Sequence, residues 1–423
     1  MNSRESGGVS VYFLPVASPI HVGKVRPIAE AARRLLQDAG MDVRGPETPV
    51  VRVEDAKVPV GVYDLLVVFV ASGGASSIAA EASRGKRAIL WAYPENNSLP
   101  SALNARAKLK ASGEWRGEIA YGGLDETPPE ILAEAKAANA VKHLQGARIG
   151  VLCGAEEWKR MEGDAKRLKE LLGVDTVYVD LEDVKKIMAD IGAEDAHRTL
   201  EQTLKDARYI HLSPEDAAKA VRFYLALKSV VDRLGLAGVA VDCFRLLQRI
   251  HVTPCIPLSL LCDVGLAGVC EGDLEAAASM LVLTCITGRP AWIANLAQVD
   301  FNRNTITLAH CTAATKLGAE APRVLPHFET GLPISLDIPL RTGEVTLVHI
   351  QFSSKRLIAA RGVLVESGMG KPGLCRTQAV VRLQNRVQNL LQEAGRHLVL
   401  VHGDLLETLR RFSRRTGLEF TPT

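Results

Sequence analysis

The sequence lacks the signatures of membrane, secreted and nucleic-acid-binding proteins. No apolar run reaches the roughly 18 residues that a membrane-spanning helix needs. The start carries no basic stretch followed by an apolar segment and a cleavage site, so we expect a cytoplasmic protein with no membrane partner. The formal net charge is only +3, and no run of Lys and Arg is interleaved with aromatic residues. Nucleic acid is therefore not expected as a partner.

The sequence also lacks any CxxC pair, although it contains eight cysteines. Six of them crowd into one mostly apolar region: Cys243, Cys255, Cys262, Cys270, Cys285 and Cys311. In a large chain without a secretion signal, such cysteines are more often small buried residues than a disulfide framework or a zinc site. We therefore predict that they pack in cores.

What remains is the composition of a large folded protein. Apolar residues make up 47% and charged residues 23% of a 423-residue chain, which is too long for one ordinary core. Three domains are predicted, over residues 1–147, 148–288 and 289–423.

Strand and helix patterns alternate in the first two predicted domains. "VSVYFLPV" (9–16) precedes the helical "IAEAARRLLQDAG", and "YDLLVVFVAS" (63–72) is typical of a strand buried on both faces of a parallel sheet. The order starts again at "ARIGVLCG" (147–154) and continues through "ARYIHLS" (207–213). Two open α/β domains are the simplest account.

The pattern changes after Pro290 to short alternating strands such as "NTITLAHC" and "GEVTLVHIQF". The helix "DLLETLRRFSRRTG" closes this region. The pattern predicts an antiparallel β-rich domain, built as a barrel or a sandwich.

Polar residues surround one apolar helix in the stretch between residues 268 and 311. Asp273 stands at the expected N-cap of this helix and Glu275 in its first turn, so both have structural explanations. Glu271 precedes the cap, between Cys270 and Gly272. Its carboxylate is either solvated or directed at a positive group.

The following hairpin brings further polar side chains near the same place. If "DFNRNT" is the turn, antiparallel pairing places Asn295 opposite His310, and Asp300 opposite Thr305 beside the turn. Asp300 is then a turn residue. His310 and His397 lie at strand ends, where each alone is either a structural residue or a ligand.

Five short motifs resemble those of the L-fucose isomerase and L-arabinose isomerase superfamily, in the same order. They are "NNSLPSALNARAKL" (96–109), "GLAGVCEGDLEAA" (265–277), "AHC" (309–311), "CRTQ" (375–378) and "GRHLVLVHGD" (395–404). The chain is particularly similar to the shorter fucose isomerase-like proteins. The resemblance implies two Rossmann-like α/β domains followed by an antiparallel, barrel-like β-rich domain.

The resemblance also implies a function. Family members are intramolecular oxidoreductases that interconvert aldoses and ketoses through an enediol, and they bind a divalent metal, often Mn²⁺. By motif, Glu271 matches a carboxylate that binds the metal and moves a proton. His397 matches the C-terminal histidine ligand, and His310 resembles the additional ligand of the arabinose branch. A homo-oligomer, trimer or hexamer, is implied as well.

One position departs from the family pattern. Relatives carry a second carboxylate a few residues after the motif Pro, where this sequence has Asn295. An amide carries no charge and cannot take a proton. Three functions therefore stay open: an isomerase, another metal-assisted reaction on a sugar or sugar acid, and a non-catalytic sugar-binding protein. Asp300 is a less favoured replacement for the lost carboxylate.

Three further residues are candidates for sugar binding. Asn97 and Ser98 either begin a helix or, as the resemblance implies, belong to a domain that helps to cover a neighbouring subunit's site. Arg376, in "CRTQ", either contacts a sugar or carries a surface charge.

Overall fold

A computed structural model describes residues 8–332 and 334–423 of the chain. The chain divides into two compact units, the first ending at Asn139 and the second beginning at Ala140. The predicted domain boundaries after residues 147 and 288 stay predictions. None of the helices among the described residues combines the length and apolar character that crossing a membrane requires.

The first unit contains a five-stranded parallel sheet in the order β2-β1-β3-β4-β5. All six residues of its central strand β3 are buried, as the continuous apolar run predicts for a strand covered on both faces. Its elements are β1 (Ser10–Val16), α1 (Val22–Asp38), β2 (Asp42–Arg44), β3 (Leu65–Val70), α2 (Ser76–Ser83), β4 (Ala88–Ala92), α3 (Ser98–Ala111), β5 (Glu118–Tyr121) and α4 (Pro129–Leu144), which continues into the second unit.

The second unit begins with a four-stranded parallel sheet in the order β10-β9-β6-β7. Its elements are β6 (Arg148–Cys153), α5 (Ala155–Leu172), β7 (Asp175–Asp180), α6 (Leu181–Asp190), α7 (Ala193–Leu204), β8 (Arg208–Tyr209), α8 (Pro214–Leu234), β9 (Gly238–Val241), α9 (Cys243–Ile250), α10 (Cys255–Asp263), β10 (Ala267–Val269) and α11 (Leu274–Thr287). Helix α11 ends at Gly288, whose φ of 64° is the left-handed conformation that the sequence predicts at this C-cap.

A closed antiparallel barrel follows in the same unit. Its strands run in the order β15-β18-β11-β12-β17-β16, and a pairing between β15 and β16 closes the ring. The elements of this part are β11 (Trp292–Asp300), β12 (Thr305–His310), β13 (Arg323–Leu325), β14 (Ser335–Asp337), β15 (Gly343–Gln351), β16 (Arg356–Ser367), β17 (Thr377–Leu383), α12 (Val387–Glu393), β18 (His397–His402), α13 (Leu406–Thr416) and β19 (Glu419–Pro422). Strand β19 adds to β16 in parallel. The predicted fold class, parallel α/β sheets followed by a barrel-like β-rich domain, is confirmed.

One strand belongs to a different sheet from the one its position predicts. "ARYIHLS" contributes only the two-residue strand β8, which pairs with β13 in a small sheet of order β14-β13-β8. The backbone N–H groups of Arg208 and Ile210 donate to carbonyls of the later segment, at Pro322 and Val324. Because these partners lie more than 100 residues downstream, local sequence patterns do not reveal the pairing.

Candidate active site

A narrow pocket, partly open to solvent, lies in the second unit. Its wall includes Glu271, Asn295 and His310, three of the residues that the sequence singles out. Five cysteines also line it: Cys243, Cys255, Cys270, Cys311 and Cys375. All eight cysteines of the chain are free thiols. Of the six that were predicted to pack in cores, five are buried and Cys285 is half-buried.

Glu271 occupies a sharp turn between β10 and α11. Its φ is 57° and that of Gly272 is 61°, so two consecutive residues adopt the left-handed conformation. The positive φ of Gly272 favours glycine, since other residues are strained in this conformation. Such a conformation is unfavourable for a glutamate, and residues held in this way cluster at functional sites. The turn directs the Glu271 carboxylate into the pocket wall.

Two imidazole rings converge on this carboxylate. Oε1 of Glu271 lies 3.9 Å from Nε2 of His310 and 3.7 Å from Nε2 of His397. The three ligand atoms all lie within 4.8 Å of one another, and the two ring centroids are 5.5 Å apart. Neither buried Nε2 atom has a hydrogen-bond partner among the described residues. A carboxylate with two convergent, unpartnered imidazole nitrogens fits a first-row divalent cation such as Mn²⁺.

The other ring nitrogen of His397 is held by Asp273. Nδ1 lies 2.8 Å from Oδ2 of Asp273, and the ring is fully buried at the start of β18. An imidazole that donates Nδ1–H to a carboxylate keeps its lone pair on Nε2, which is the arrangement typical of metal-bound histidines. Burial lowers the pKa of His397, but the hydrogen bond with Asp273 and the nearby carboxylate of Glu271 outweigh it, so the pKa is raised.

Asp273 therefore has two roles, of which the sequence predicts one. Its Oδ1 accepts a hydrogen bond from the backbone N–H of Ala276 at 2.9 Å, which confirms the N-cap of α11. Its Oδ2 orients His397. Because His397 lies 124 residues downstream, local sequence patterns do not predict this contact. Although burial opposes ionisation, the hydrogen bonds from His397 and Ala276 lower the pKa of Asp273 to about 2.

His310 is held differently. The backbone N–H of Cys311 donates to its Nδ1 at 3.0 Å, and the hydroxyl of Thr312 lies 3.3 Å from the same atom. Burial lowers the pKa of His310 to about 4, with the nearby His397 adding to the effect, so the ring is neutral at physiological pH. A neutral ring that accepts at Nδ1 carries its proton on Nε2.

The strand register around Asn295 differs from the predicted one by a single residue. Asp300 pairs with Thr305 as predicted, but a bulge between Leu296 and Gln298 shifts the pairing, so that Asn295 lies opposite Ala309. On its other side Asn295 pairs with His397 of β18. The half-buried Asn295 thus lines the pocket beside a different histidine from the one predicted.

Arg396 is a site residue that sequence reasoning missed. Its guanidinium lies 3.2 Å from Oε2 of Glu271 and 3.5 Å from Oδ2 of Asp273, and 58% of its side chain is exposed. The nearby imidazole of His397 and the charge of Arg396 help to lower the pKa of Glu271 against the effect of burial. The only signal in the sequence is that Arg396 directly precedes His397.

Two predicted candidates in this unit make other contacts. Oδ1 of Asp300 accepts from the backbone N–H groups of Asn302 and Arg303, as expected for a turn residue. Nε of Arg376 donates to the carbonyl of Pro326 at 3.0 Å, which ties two loops together. Neither residue is among those that line the pocket with Glu271.

Asn97 and Ser98 lie in the first unit, at the start of helix α3. Asn97 adopts a φ of 53° and lines a cleft of this unit together with Gly73 and Gly74. Ser98 is buried: its hydroxyl accepts from the backbone N–H of Tyr93 at 3.1 Å and donates to the carbonyl of Val70. Both residues begin a helix, as one of the two alternatives predicts.

Comparisons with known proteins point to sugar isomerases. A sulfoquinovose isomerase from Alkalicoccus urumqiensis is 24% identical over 337 residues, which cover 76% of this chain and 75% of that protein. A sulfoquinovose isomerase from Clostridium sp. (strain MSTE9) is 25% identical over 334 residues, covering 73% of each. No protein-family model matches the chain.

A solved structure of a carbohydrate transporter from Acidothermus cellulolyticus 11B, in complex with myo-inositol, shows a loose similarity. The identity is 15%, with coverage of 67% of this chain and 89% of that chain, and the TM-score is 0.17. A superposition this loose carries no inference about fold or function.

The two isomerase relatives support a sugar isomerase, and with it a small sugar as substrate. The prediction of an aldose–ketose isomerase, an intramolecular oxidoreductase, is confirmed at this level.

Proposed function

We propose that the chain is a metal-dependent aldose–ketose isomerase of the fucose and arabinose isomerase type, in which Glu271, His310 and His397 bind the cation. The observation that carries the proposal is the convergence of one carboxylate and two buried, unpartnered Nε2 atoms. Two unpartnered buried nitrogens facing a carboxylate are costly unless something fills the space between them.

A bound Mn²⁺ would polarise the carbonyl and hydroxyl oxygens of the open-chain sugar. The residues of the chain divide the remaining work. Glu271 is ionised near neutral pH, because the nearby imidazole of His397 lowers its pKa, and it takes the proton from one sugar carbon and returns it to the next. Arg396, at 3.2 Å, balances the charge of Glu271 at the open side of the site.

Asn295 has the role of an orienting group. Its side-chain amide makes no hydrogen bond to the described residues, and it lies across the ladder from His397 in the pocket wall. An amide offers one acceptor and two donor hydrogens to a sugar hydroxyl, but it cannot carry a proton. A second proton carrier must therefore come from elsewhere.

Glu329 is the candidate for this second carrier. Among the described residues that line the pocket, it supplies the one carboxylate besides Glu271. It lies in the loop after β13 and is exposed, so its position adjusts easily to a bound sugar.

Sulfoquinovose is the first substrate to test, because both relatives are named for it. The experiment incubates the Mn²⁺-loaded protein with sulfoquinovose, quinovose and a panel of aldoses in D₂O, and follows the C2 proton by NMR. We expect loss of the C2 signal and appearance of a ketose. Loss that requires the sulfo group would assign the substrate as sulfoquinovose, and equal loss with quinovose would assign an unsulfonated sugar.

The neutral amide of Asn295 favours a second candidate, another metal-assisted reaction on a sugar or sugar acid. Metal binding without any C2 exchange would support that reaction. If the protein binds a sugar, but binds no metal and exchanges no sugar proton with D₂O, it is a non-catalytic binding protein. A gain of exchange in Asn295→Asp would show that the missing carboxylate limits the rate.

The expected assembly and location remain part of the proposal. The resemblance supports a cytoplasmic homo-oligomer, trimer or hexamer. Light scattering of the purified protein measures the number of chains directly.

A further inference from the structure

A second group of metal-binding side chains lies in the wall of the same pocket. Cys255, Cys311 and His327 each offer one ligand atom, and these atoms lie within 4.8 Å of one another. Cys375 lines the same wall and its thiol interacts with that of Cys311, which places a fourth possible ligand beside Cys311. None of these residues belongs to the Glu271 cluster, so the group is a separate feature.

These four side chains come from distant parts of the chain. Cys255 is the first residue of α10 and Cys311 directly follows β12. His327 lies in the loop after β13, and Cys375 lies shortly before β17. A bond from each to a common ion would join four segments that form one side of the pocket.

Neighbouring groups hold two of the ligands in suitable orientations. Nδ1 of His327 lies 3.2 Å from the hydroxyl of Thr330, so that donation from Nδ1–H leaves the lone pair on Nε2. The backbone N–H of Arg376 donates to Sγ of Cys311 at 3.5 Å. Hydrogen bonds of this kind orient ligands and stabilise the charge of a bound thiolate.

Cys262 shows what a cysteine with only a packing role looks like in the same helix. It is buried in α10, and among the described residues its sulfur is hydrogen-bonded to backbone groups of Gly268. Packing alone explains Cys262. It does not explain why three thiols and an imidazole from four segments meet at one place.

We infer that Cys255, Cys311, Cys375 and His327 form a closed binding site for Zn²⁺. This site is separate from the Glu271 cluster, and the bound ion cross-links the four segments of the pocket wall. Three cysteines and one histidine are a common ligand set of structural zinc sites. Thiolate ligands prefer Zn²⁺, whereas the mixed carboxylate and imidazole set of the Glu271 cluster suits Mn²⁺. The two sites therefore differ in metal preference, although Cys311 directly follows His310.

The test loads the purified full-length protein with Co²⁺ in the presence of a phosphine reductant, which keeps the thiols reduced. Wild type is expected to show a thiolate-to-cobalt charge-transfer band in the near ultraviolet. Glu271→Gln should retain this band, because the Glu271 cluster contains no thiol. A folded wild-type protein without the band would overturn the inference, and this measurement needs no variant to fold.

Zinc retention provides the second readout. After loading with Zn²⁺ and passage over a chelating resin, wild type and Cys262→Ser should each keep about one zinc per chain. Cys255→Ser and His327→Asn should keep at least ~10-fold less. If zinc were lost in Glu271→Gln but kept in Cys255→Ser, the ion would lie in the Glu271 cluster and the inference would be wrong. Isomerase activity enters neither readout, so a failed isomerase assay leaves this test intact.

Discussion

His397 and His310 both direct Nε2 toward Glu271, at 3.7 and 3.9 Å, but different partners hold their other ring nitrogen. The carboxylate of Asp273 holds Nδ1 of His397, whereas a backbone N–H holds Nδ1 of His310. His397 is therefore ready to bind a cation. To bind through Nε2, His310 must carry its proton on Nδ1, which would give up the hydrogen bond from the N–H of Cys311 and donate to the hydroxyl of Thr312 instead.

The difference shows that burial alone does not decide how a histidine behaves. Both rings are almost fully buried. The pKa of His397 is nevertheless raised, because two carboxylates compensate for burial, while burial lowers that of His310 to about 4. The group that holds Nδ1, the nitrogen that faces away from Glu271, decides which ring is the stronger ligand.

The largest effect on activity and on Mn²⁺ binding is expected when Glu271, which both rings face, is replaced. Glu271→Gln eliminates a charged ligand and the proposed proton carrier. C2 proton exchange should fall by about 10²- to 10⁴-fold, and the retained Mn²⁺ should fall with it. NMR exchange and elemental analysis measure the two losses. Full activity in this variant would show that Glu271 has no such role, and Glu275→Gln, from the first turn of α11, is the matched control.

Replacing the two histidines separately tests the comparison itself. His397→Gln should weaken Mn²⁺ binding more than His310→Gln does, because only His397 has its lone pair already directed at the cation. Calorimetric titration with Mn²⁺ compares the two variants. Equal losses would show that a bound cation makes the two rings equivalent, and a larger loss in His310→Gln would reverse the assignment.

Asp273→Asn separates the two roles of this residue. Asparagine is as good an N-cap as aspartate, so α11 should keep its start. The neutral amide no longer balances His397, and Mn²⁺ affinity should fall by about 10- to 100-fold. Asp273→Ala should show the same loss of affinity and a further loss of about 1 kcal/mol in the free energy of unfolding, measured in urea. Unchanged affinity in Asp273→Asn would contradict the orienting role.

The smallest effect is expected at Thr312. Thr312→Val removes the acceptor that His310 needs when it binds through Nε2, while keeping the shape of the side chain. We expect the free energy of Mn²⁺ binding to become less favourable by about 1 kcal/mol, which corresponds to roughly fivefold weaker binding. In the background of His310→Gln the same change should have no effect. An effect that persists there would mean that Thr312 acts by another route.

The sequence predicts the fold class because the periodic signals are strong. The apolar run of β3 and the short alternating strands after Pro290 each have a period that one kind of sheet satisfies. The small sheet of β8 and β13 was not predicted, since β8 has only two residues and its partner is distant in the chain.

At the site, the sequence identifies the residue types and misses the contacts that tune them. Glu271, His310 and His397 come from motifs, and the structure gathers all three. The bulge that places Asn295 opposite Ala309, and not His310, leaves no clear mark in "WIANLAQVD". Asp273 already has a sufficient local explanation as a cap, so nothing in the sequence reveals its bond to His397.

The most direct test is a pulsed electron paramagnetic resonance measurement of Mn²⁺ bound to protein labelled with ¹⁵N at histidine. Two coupled ¹⁵N nuclei are expected in wild type, and one of them should disappear in His397→Gln. Bound Mn²⁺ without any ¹⁵N coupling would contradict the claim that Glu271, His310 and His397 together hold the ion.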